Sequence, residues 1–211
     1  MGYDAALFDL DGTLTDPGEG ITNSVAYALR ALGIEPPERR ELYKFIGPPL
    51  AESFMRFYGM DEAGAAEAVR LYRVYFSDRG IFENLVYPGI PETLRRLKEA
   101  GVRLTLATSK PTVYALRILE RFELDGFFDE TVGSELDGRR TNKEEVVRCA
   151  LEHCVGAAVM IGDRMHDILG GKANGIDTIG VLYGYGSKQE LLEAGATRLA
   201  ETPEDLIDLI L

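Results

Sequence analysis

At 211 residues, with 45% apolar and 27% charged side chains, the chain has the composition of a globular protein with one large domain, or one domain plus a smaller one. Against 23 Lys and Arg stand 35 Asp and Glu, and the formal net charge of −12 excludes a nucleic-acid backbone or an anionic membrane as partner. No apolar run approaches the roughly 18–20 residues that cross a bilayer. The first residues enter a strand pattern without a basic leader or an apolar signal region, so a soluble, cytoplasmic protein is expected. Cys149 and Cys154 flank His153 at a spacing that suits no zinc site, and both are expected to be reduced.

Ala5–Phe8 is a short apolar run of the kind that lies buried on both faces of a parallel sheet. From Asp16 the pattern is helical. Ile21, Val25, Ala28, Leu29 and Leu32 line one face of a helix that stops at Gly33. Phe45-Ile46-Gly47-Pro48-Pro49 breaks the periodicity, Leu50, Phe54 and Phe57 resume it, and a longer helix is expected over 61–79. After Tyr87-Pro88-Gly89 strands and helices alternate: helix 90–100, strand 102–107, helix 110–122, strand 130–133, helix 142–153, strand 157–161, helix 165–174, strand 176–181, then helices 187–194 and 203–210. Strands separated by helices indicate right-handed crossovers and a parallel sheet. The expected fold is therefore α/β: a doubly wound parallel-sheet core from residues 1–15 and 88–211, with an all-helical cap inserted over 16–87.

Four polar segments follow the apolar strands and belong on one rim of such a sheet, where open α/β folds bind ligands. Asp9 and Asp11 leave the first strand two residues apart, a spacing that points both carboxylates the same way in extended backbone. Asp9 can attack phosphorus and form an aspartyl phosphate, while Asp11 can protonate the leaving oxygen and then deprotonate water. A calcium loop is excluded, because its sixth and twelfth positions are Leu14 and Gly20 instead of glycine and glutamate. Thr108 and Ser109 follow Leu104–Ala107 and are expected at a helix N-terminus, a phosphate site, with neighbouring Lys110 on the surface. Lys143 opens a later helix, where its ammonium can hold Asp9 and a transferring phosphoryl group together. Asp163 ends a hydrophobic strand and Asp167 lies one helical turn beyond, an oxygen donor set that suits magnesium better than zinc. Two carboxylates about 4 Å apart repel by roughly 4 kcal/mol at an effective dielectric of 20, so gathering several implies a divalent ion or raised pKa values.

These segments, in this order and with a helical insertion after the first, resemble the haloacid dehalogenase-like superfamily over the whole chain. The layout is similar to the phosphoglycolate phosphatase-like branch with a helical cap. The segments Ala107–Pro111, Phe45–Leu50 and Leu182–Ser187 look like the related bacterial 5′-nucleotidases. The resemblance implies Asp9 as nucleophile, Asp11 as acid and base, and Thr108 and Lys143 as phosphate ligands. It also implies magnesium held by the Asp9 carboxylate, the Asp11 main-chain carbonyl and Asp163, with Asp167 in support. The dehalogenases of the superfamily lack an acid at the position of Asp11, which favours a phosphatase. The chain departs from the pattern at Arg164, where Ser or Thr is commoner after Gly-Asp, and at Glu144, where proline is frequent.

The expected function is a magnesium-dependent phosphomonoesterase of a small phosphorylated metabolite. The cap would close over the site, and Gly47 would present main chain to the substrate. A phosphosugar mutase is the enzymatic alternative, and a receiver-like switch phosphorylated on Asp9 is the alternative of another class. Monomer and homodimer both remain open.

Overall fold

A computed structural model describes residues 2–211. Contacts divide the chain into two compact units, one comprising everything up to Thr15 together with Val86–Leu211, the other Asp16–Leu85.

The first unit is built on β1 (Ala5–Phe8). Apolar residues buried on both faces belong at the centre of a sheet, and all four residues of β1 are fully buried. Numbered in chain order, β2 (Thr15–Asp16) and β3 (Leu85–Val86) form a separate two-stranded sheet. The strands β4 (Arg103–Pro111), β5 (Glu130–Ser134), β6 (Ala158–Gly162), β7 (Asp177–Val181) and β8 (Arg198–Ala200) complete a six-stranded sheet with β1, in the order β5-β4-β1-β6-β7-β8. Its pairings are parallel. The chain steps from β1 outward to β4 and β5, then returns to the other side of β1 for β6, β7 and β8. The carboxyl end of β1 therefore lies at the point where the winding reverses, which is where such sheets open a crevice.

The helices of the second unit are α1 (Gly18–Ala31), α2 (Arg39–Leu42), α3 (Leu50–Tyr58) and α4 (Glu62–Phe76); those of the first are α5 (Ile90–Glu99), α6 (Thr112–Arg121), α7 (Lys143–Leu151), α8 (Met165–Ala173), α9 (Lys188–Ala194) and α10 (Asp205–Ile210). Val146, Val147 and Ala150 of α7 pack on Ala5 and Leu7 of β1 and on Met160 of β6. The alternate β1 residue Phe8 meets Phe128 edge-on, with ring centroids 6.4 Å apart, as the two-residue period of a strand requires. Where sequence periodicity placed a helix end at Gly33, α1 does stop: Gly33 has a φ of 74°, a left-handed conformation that glycine adopts without a Cβ clash.

The observed elements differ from the expected ones at several points. β4 continues through Pro111 instead of ending at Ala107, and the helix after it starts at Thr112. The helix expected over 61–79 ends at Phe76 and is followed by a 3₁₀ turn at Gly80–Phe82. α2 and the three-residue β8 had no periodic signal, because both are shorter than the window in which periodicity can be read.

Within the helical unit α1 packs closely on the 3₁₀ turn. The Gly20 N–H donates to the Glu83 carbonyl at 2.9 Å, and a Cβ on Gly20 would lie 1.9 Å from the Gly80 carbonyl oxygen. Gly20→Ala is expected to destabilise this unit by about 1–3 kcal/mol through overpacking, after allowing for the roughly 1 kcal/mol that alanine gains in a helix. A urea midpoint equal to or above that of the native chain would refute this packing.

Candidate active site

The site begins with strand register. Phe8, the last residue of β1, is level with Leu106 of β4 and Ile161 of β6. The Asp9 N–H continues the ladder by donating to the Ile161 carbonyl at 2.9 Å. Asp9 and Asp163 therefore emerge together at the carboxyl ends of adjacent strands, and both are buried.

Lys143, the first residue of α7, closes the group. Asn142 caps this helix by accepting from the Glu144 N–H at 2.8 Å, which fixes where the lysine stem leaves the backbone. Its Nζ lies 2.7 Å from Asp9 Oδ1 and 2.7 Å from Asp167 Oδ1, and it donates to the Ala107 carbonyl at 3.0 Å. All three ammonium protons thus face oxygen. A Cβ on Gly170 of α8 would stand 2.8 Å from Lys143 Cγ, so this glycine admits the buried stem. Asp167 is fixed from its other side, where Oδ2 accepts from the Arg164 N–H at 3.0 Å.

Asp163 is enclosed mainly by main chain. Its Oδ2 accepts from the Tyr185 N–H at 2.8 Å. Cβ atoms on Gly12, Gly184 and Gly186 would come within 2.2 Å of Oδ2, 2.4 Å of its Cβ and 1.9 Å of its carbonyl oxygen, respectively. Tyr183 adds a tie by donating from its hydroxyl to the Thr13 carbonyl at 3.1 Å. The Leu182–Ser187 loop, for which sequence reasoning found no structural task, therefore walls Asp163. Its signal was a pair of alternating glycines, Gly184 and Gly186, shortly after a buried strand.

Two expectations are corrected. Thr108 and Ser109 do not sit at a helix N-terminus. The β4–β5 register shifts between Ala107 and Pro111, and the chain stays extended as far as Pro111, level with Ser134. Proline also disfavours helical backbone at the residue before it, which here is Lys110. Thr108 is buried and its Oγ1 accepts from the Lys110 N–H at 3.2 Å, while the Ser109 carbonyl accepts from Ser134 Oγ at 2.8 Å. Nor is Lys110 a surface residue: its Nζ lies 2.7 Å from Asp11 Oδ2, with the side chains 6% and 13% exposed. Gly47 belongs to the helical unit, where it has a φ of 102° in the turn before α3.

Burial and mutual repulsion dominate the electrostatics. Desolvation pushes Asp163 well above the ordinary carboxylate range, and the Asp167 and Asp9 charges push the same way. Asp167 is raised to about 6, first by desolvation, with Lys143 pulling it down and Asp9 pushing it up. Desolvation also raises Asp11, against the attraction of Lys110. Burial works against the Lys143 ammonium, but Asp167 and Asp9 outweigh it and hold its pKa above the usual lysine value.

Asp9, Asp163 and Asp167 each offer a carboxylate oxygen within 4.8 Å of the others. Asp163 Oδ1 is buried and has no hydrogen-bond partner among the described residues. An all-oxygen set with an orphaned carboxylate oxygen and one ammonium for three acids fits a hard divalent cation.

Residues 6–181 match the model of the haloacid dehalogenase-like hydrolases. A 5′-nucleotidase of Pseudomonas aeruginosa is 54% identical over 196 residues, which cover 90% of this chain and 87% of that protein. The tyrosine-protein kinase PtkA of Mycobacterium tuberculosis is 42% identical over 183 residues, 85% of this chain and 62% of that protein. Among solved structures, a predicted phosphatase from Clostridium acetobutylicum superposes with a TM-score of 0.96 at 47% identity, covering 100% of this chain and 99% of that one.

The raised Asp163 pKa carries a sign. A carboxyl that binds its proton more tightly when folded than when unfolded opposes folding once it ionises, so at neutral pH this charge lowers stability. Asp163→Asn keeps an acceptor for Tyr185 and removes the charge. Without added metal it is expected to raise Tm by about 2–6 °C, at roughly 2–4 °C per kcal/mol for a chain of this size, and to abolish any rise in Tm on adding magnesium. A lowered Tm in metal-free buffer, or an undiminished response to magnesium, would contradict the placement.

Proposed function

Because the chain belongs to the haloacid dehalogenase-like hydrolase family and is a phosphoric monoester hydrolase, we propose that it cleaves small phosphorylated metabolites through an aspartyl phosphate on Asp9, with magnesium as cofactor. The observation that carries this reading is the ammonium of Lys143 held between Asp9 and Asp167, with Asp163 beside them. Such a cluster sets an ammonium directly against the carboxylate that would act as nucleophile. An Asp9 oxygen forms a bond to phosphorus while the ester P–O bond breaks, and the departing oxygen takes a proton from Asp11. Water then attacks the aspartyl phosphate and gives its proton back to Asp11. The bond between phosphorus and Asp9 breaks, inorganic phosphate leaves, and the Asp9 carboxylate is restored.

Lys143 and the hydroxyls of Thr108 and Ser109 are assigned to the phosphoryl oxygens. The residues proposed to hold magnesium are Asp9, Asp163 and Asp167 by their carboxylates and Asp11 by its main-chain carbonyl. When bound, the ion neutralises charge on the phosphoryl group and orients it. The inserted helical unit is read as a cap, with Gly47 as its substrate-facing main chain. Nucleoside 5′-monophosphates are the first substrates to try, on the name of the Pseudomonas relative, followed by phosphoglycolate. No helix among the described residues is long and apolar enough to cross a membrane. Together with the two free cysteines, this supports the cytoplasm as location.

Asp9→Asn is expected to lower turnover of p-nitrophenyl phosphate by at least about a thousandfold with an unchanged circular dichroism spectrum. EDTA should abolish turnover and magnesium restore it. Near-normal turnover of the variant removes Asp9 as nucleophile, and full activity after exhaustive chelation removes the metal. Multiple turnovers releasing inorganic phosphate separate this reading from a receiver switch, and an isomerised sugar phosphate as product would favour the mutase.

A further inference from the structure

On the premise of the phosphatase reading, we infer that Lys110 is a positioning residue for Asp11, holding one carboxyl oxygen so that the other exchanges the proton. Lys110 Nζ lies 2.7 Å from Asp11 Oδ2. Asp11 Oδ1 is buried and has no hydrogen-bond partner among the described residues. One oxygen is therefore taken by an ammonium that cannot accept a proton, while the other is left for a substrate or water.

The backbone is shaped to deliver this lysine. A strand in regular register alternates its side chains, and an irregularity re-aims them. Here the β4–β5 register shifts between Ala107 and Pro111. Around the shift Lys110 is clamped. Its N–H donates to Thr108 Oγ1 at 3.2 Å, the preceding carbonyl accepts from Ser134 Oγ at 2.8 Å, and a Cβ on Gly133 would stand 2.5 Å from the Lys110 carbonyl oxygen. Asp11 is clamped as well, because it bridges to Thr15 and the Gly12 N–H donates to the Thr15 carbonyl at 2.7 Å. Two braced backbones thus present an ion pair that is almost fully enclosed. Lys143 spans Asp9 and Asp167, whereas Lys110 pairs with Asp11.

The chemistry supplies a readout that a merely structural lysine would not move. When Asp9 bonds to phosphorus, the electron pair of the broken ester bond stays on the departing oxygen. An alkoxide such as that from glycerol phosphate needs the Asp11 proton at that moment, whereas p-nitrophenolate is a weak base and leaves without it. Since kcat/KM covers the steps through departure of the alcohol, Lys110→Met is expected to lower kcat/KM for glycerol phosphate about 100-fold, but for p-nitrophenyl phosphate by less than about fivefold. On p-nitrophenyl phosphate kcat and KM should fall together, because the later attack by water still needs Asp11. Lys110→Arg, which keeps the charge, should recover glycerol phosphate turnover to within about tenfold of native. In an Asp11→Asn background Lys110→Met should change the ratio of the two substrates by no more than about twofold, as expected when one residue acts only through the other. This double variant also leaves no uncompensated buried charge, so it serves if Lys110→Met alone fails to fold. Equal losses on both esters, or a full Lys110→Met effect without the Asp11 carboxyl, would overturn the inference and leave the phosphatase reading standing. A native chain inactive on both esters would overturn the phosphatase reading itself, and this inference with it.

Discussion

A single ammonium shared by two buried carboxylates, with a third carboxylate close by, is the constraint on which the rest of the structure depends. At about 4 Å two such acids repel by roughly 4 kcal/mol for an effective dielectric of 20, a large part of the roughly 5–15 kcal/mol that stabilises a domain. Lys143 compensates for Asp9 and Asp167 but does not reach Asp163, whose charge is opposed by burial and by both neighbours. The fold therefore holds its acids together by geometry, against their electrostatics. The parallel register of β1 with β6 aligns Asp9 and Asp163, α8 begins directly after β6 and carries Asp167, and the first residue of α7 is the lysine. A site arranged in this way has room for another cation, and an oxygen donor set suits a hard one.

Crowding this tight is possible because several positions lack side chains. Gly12, Gly184 and Gly186 let two loops press against Asp163, and Gly162 gives the same latitude beside Asp167, whose Cγ would be 2.2 Å from an added Cβ. Main chain brought this close excludes water and places a peptide N–H on the Asp163 carboxylate. The orientation of an acid held by a fixed peptide group and a braced loop does not have to be established anew when a ligand arrives.

The sequence made the strand ends legible for a physical reason. Strands buried on both faces need unbroken apolar runs, so the first polar residue after each run marks the rim, and Asp9, Thr108 and Asp163 were found in this way. Lys143 was found as a helix start. The continuation of β4 through Thr108-Ser109-Lys110-Pro111 was illegible, because it is polar and is held extended by a distant partner, Ser134, instead of by apolar alternation. Lys110 was misread for the same reason. A lysine beside a capping pattern has no signature that tells water from a carboxylate brought in by another strand. The glycine-alternating loop after β7 did carry a signal, but only its contact with Asp163 gives that signal a meaning.

The two lysines also answer how a chain with a net charge of −12 can admit a phosphate ester. Screening confines surface charge to about 8–10 Å at physiological salt, so most of the acidic exterior is scarcely felt inside the rim. What an entering anion meets is local. Lys110 pairs with Asp11, Asp9 and Asp167 share Lys143, and the unmatched charge of Asp163 is what a bound divalent cation would more than offset. With Asp11 carrying the proton that the proposed first step needs, Asp9, Asp163 and Asp167 stand against Lys110, Lys143 and a divalent ion, which leaves a formal balance of +1. A phosphoryl group entering there would meet a net positive charge instead of opposing carboxylates. One lysine set between Asp9 and Asp167, a second on Asp11 and room for a cation beside Asp163 are how an acidic phosphatase can admit a phosphate ester.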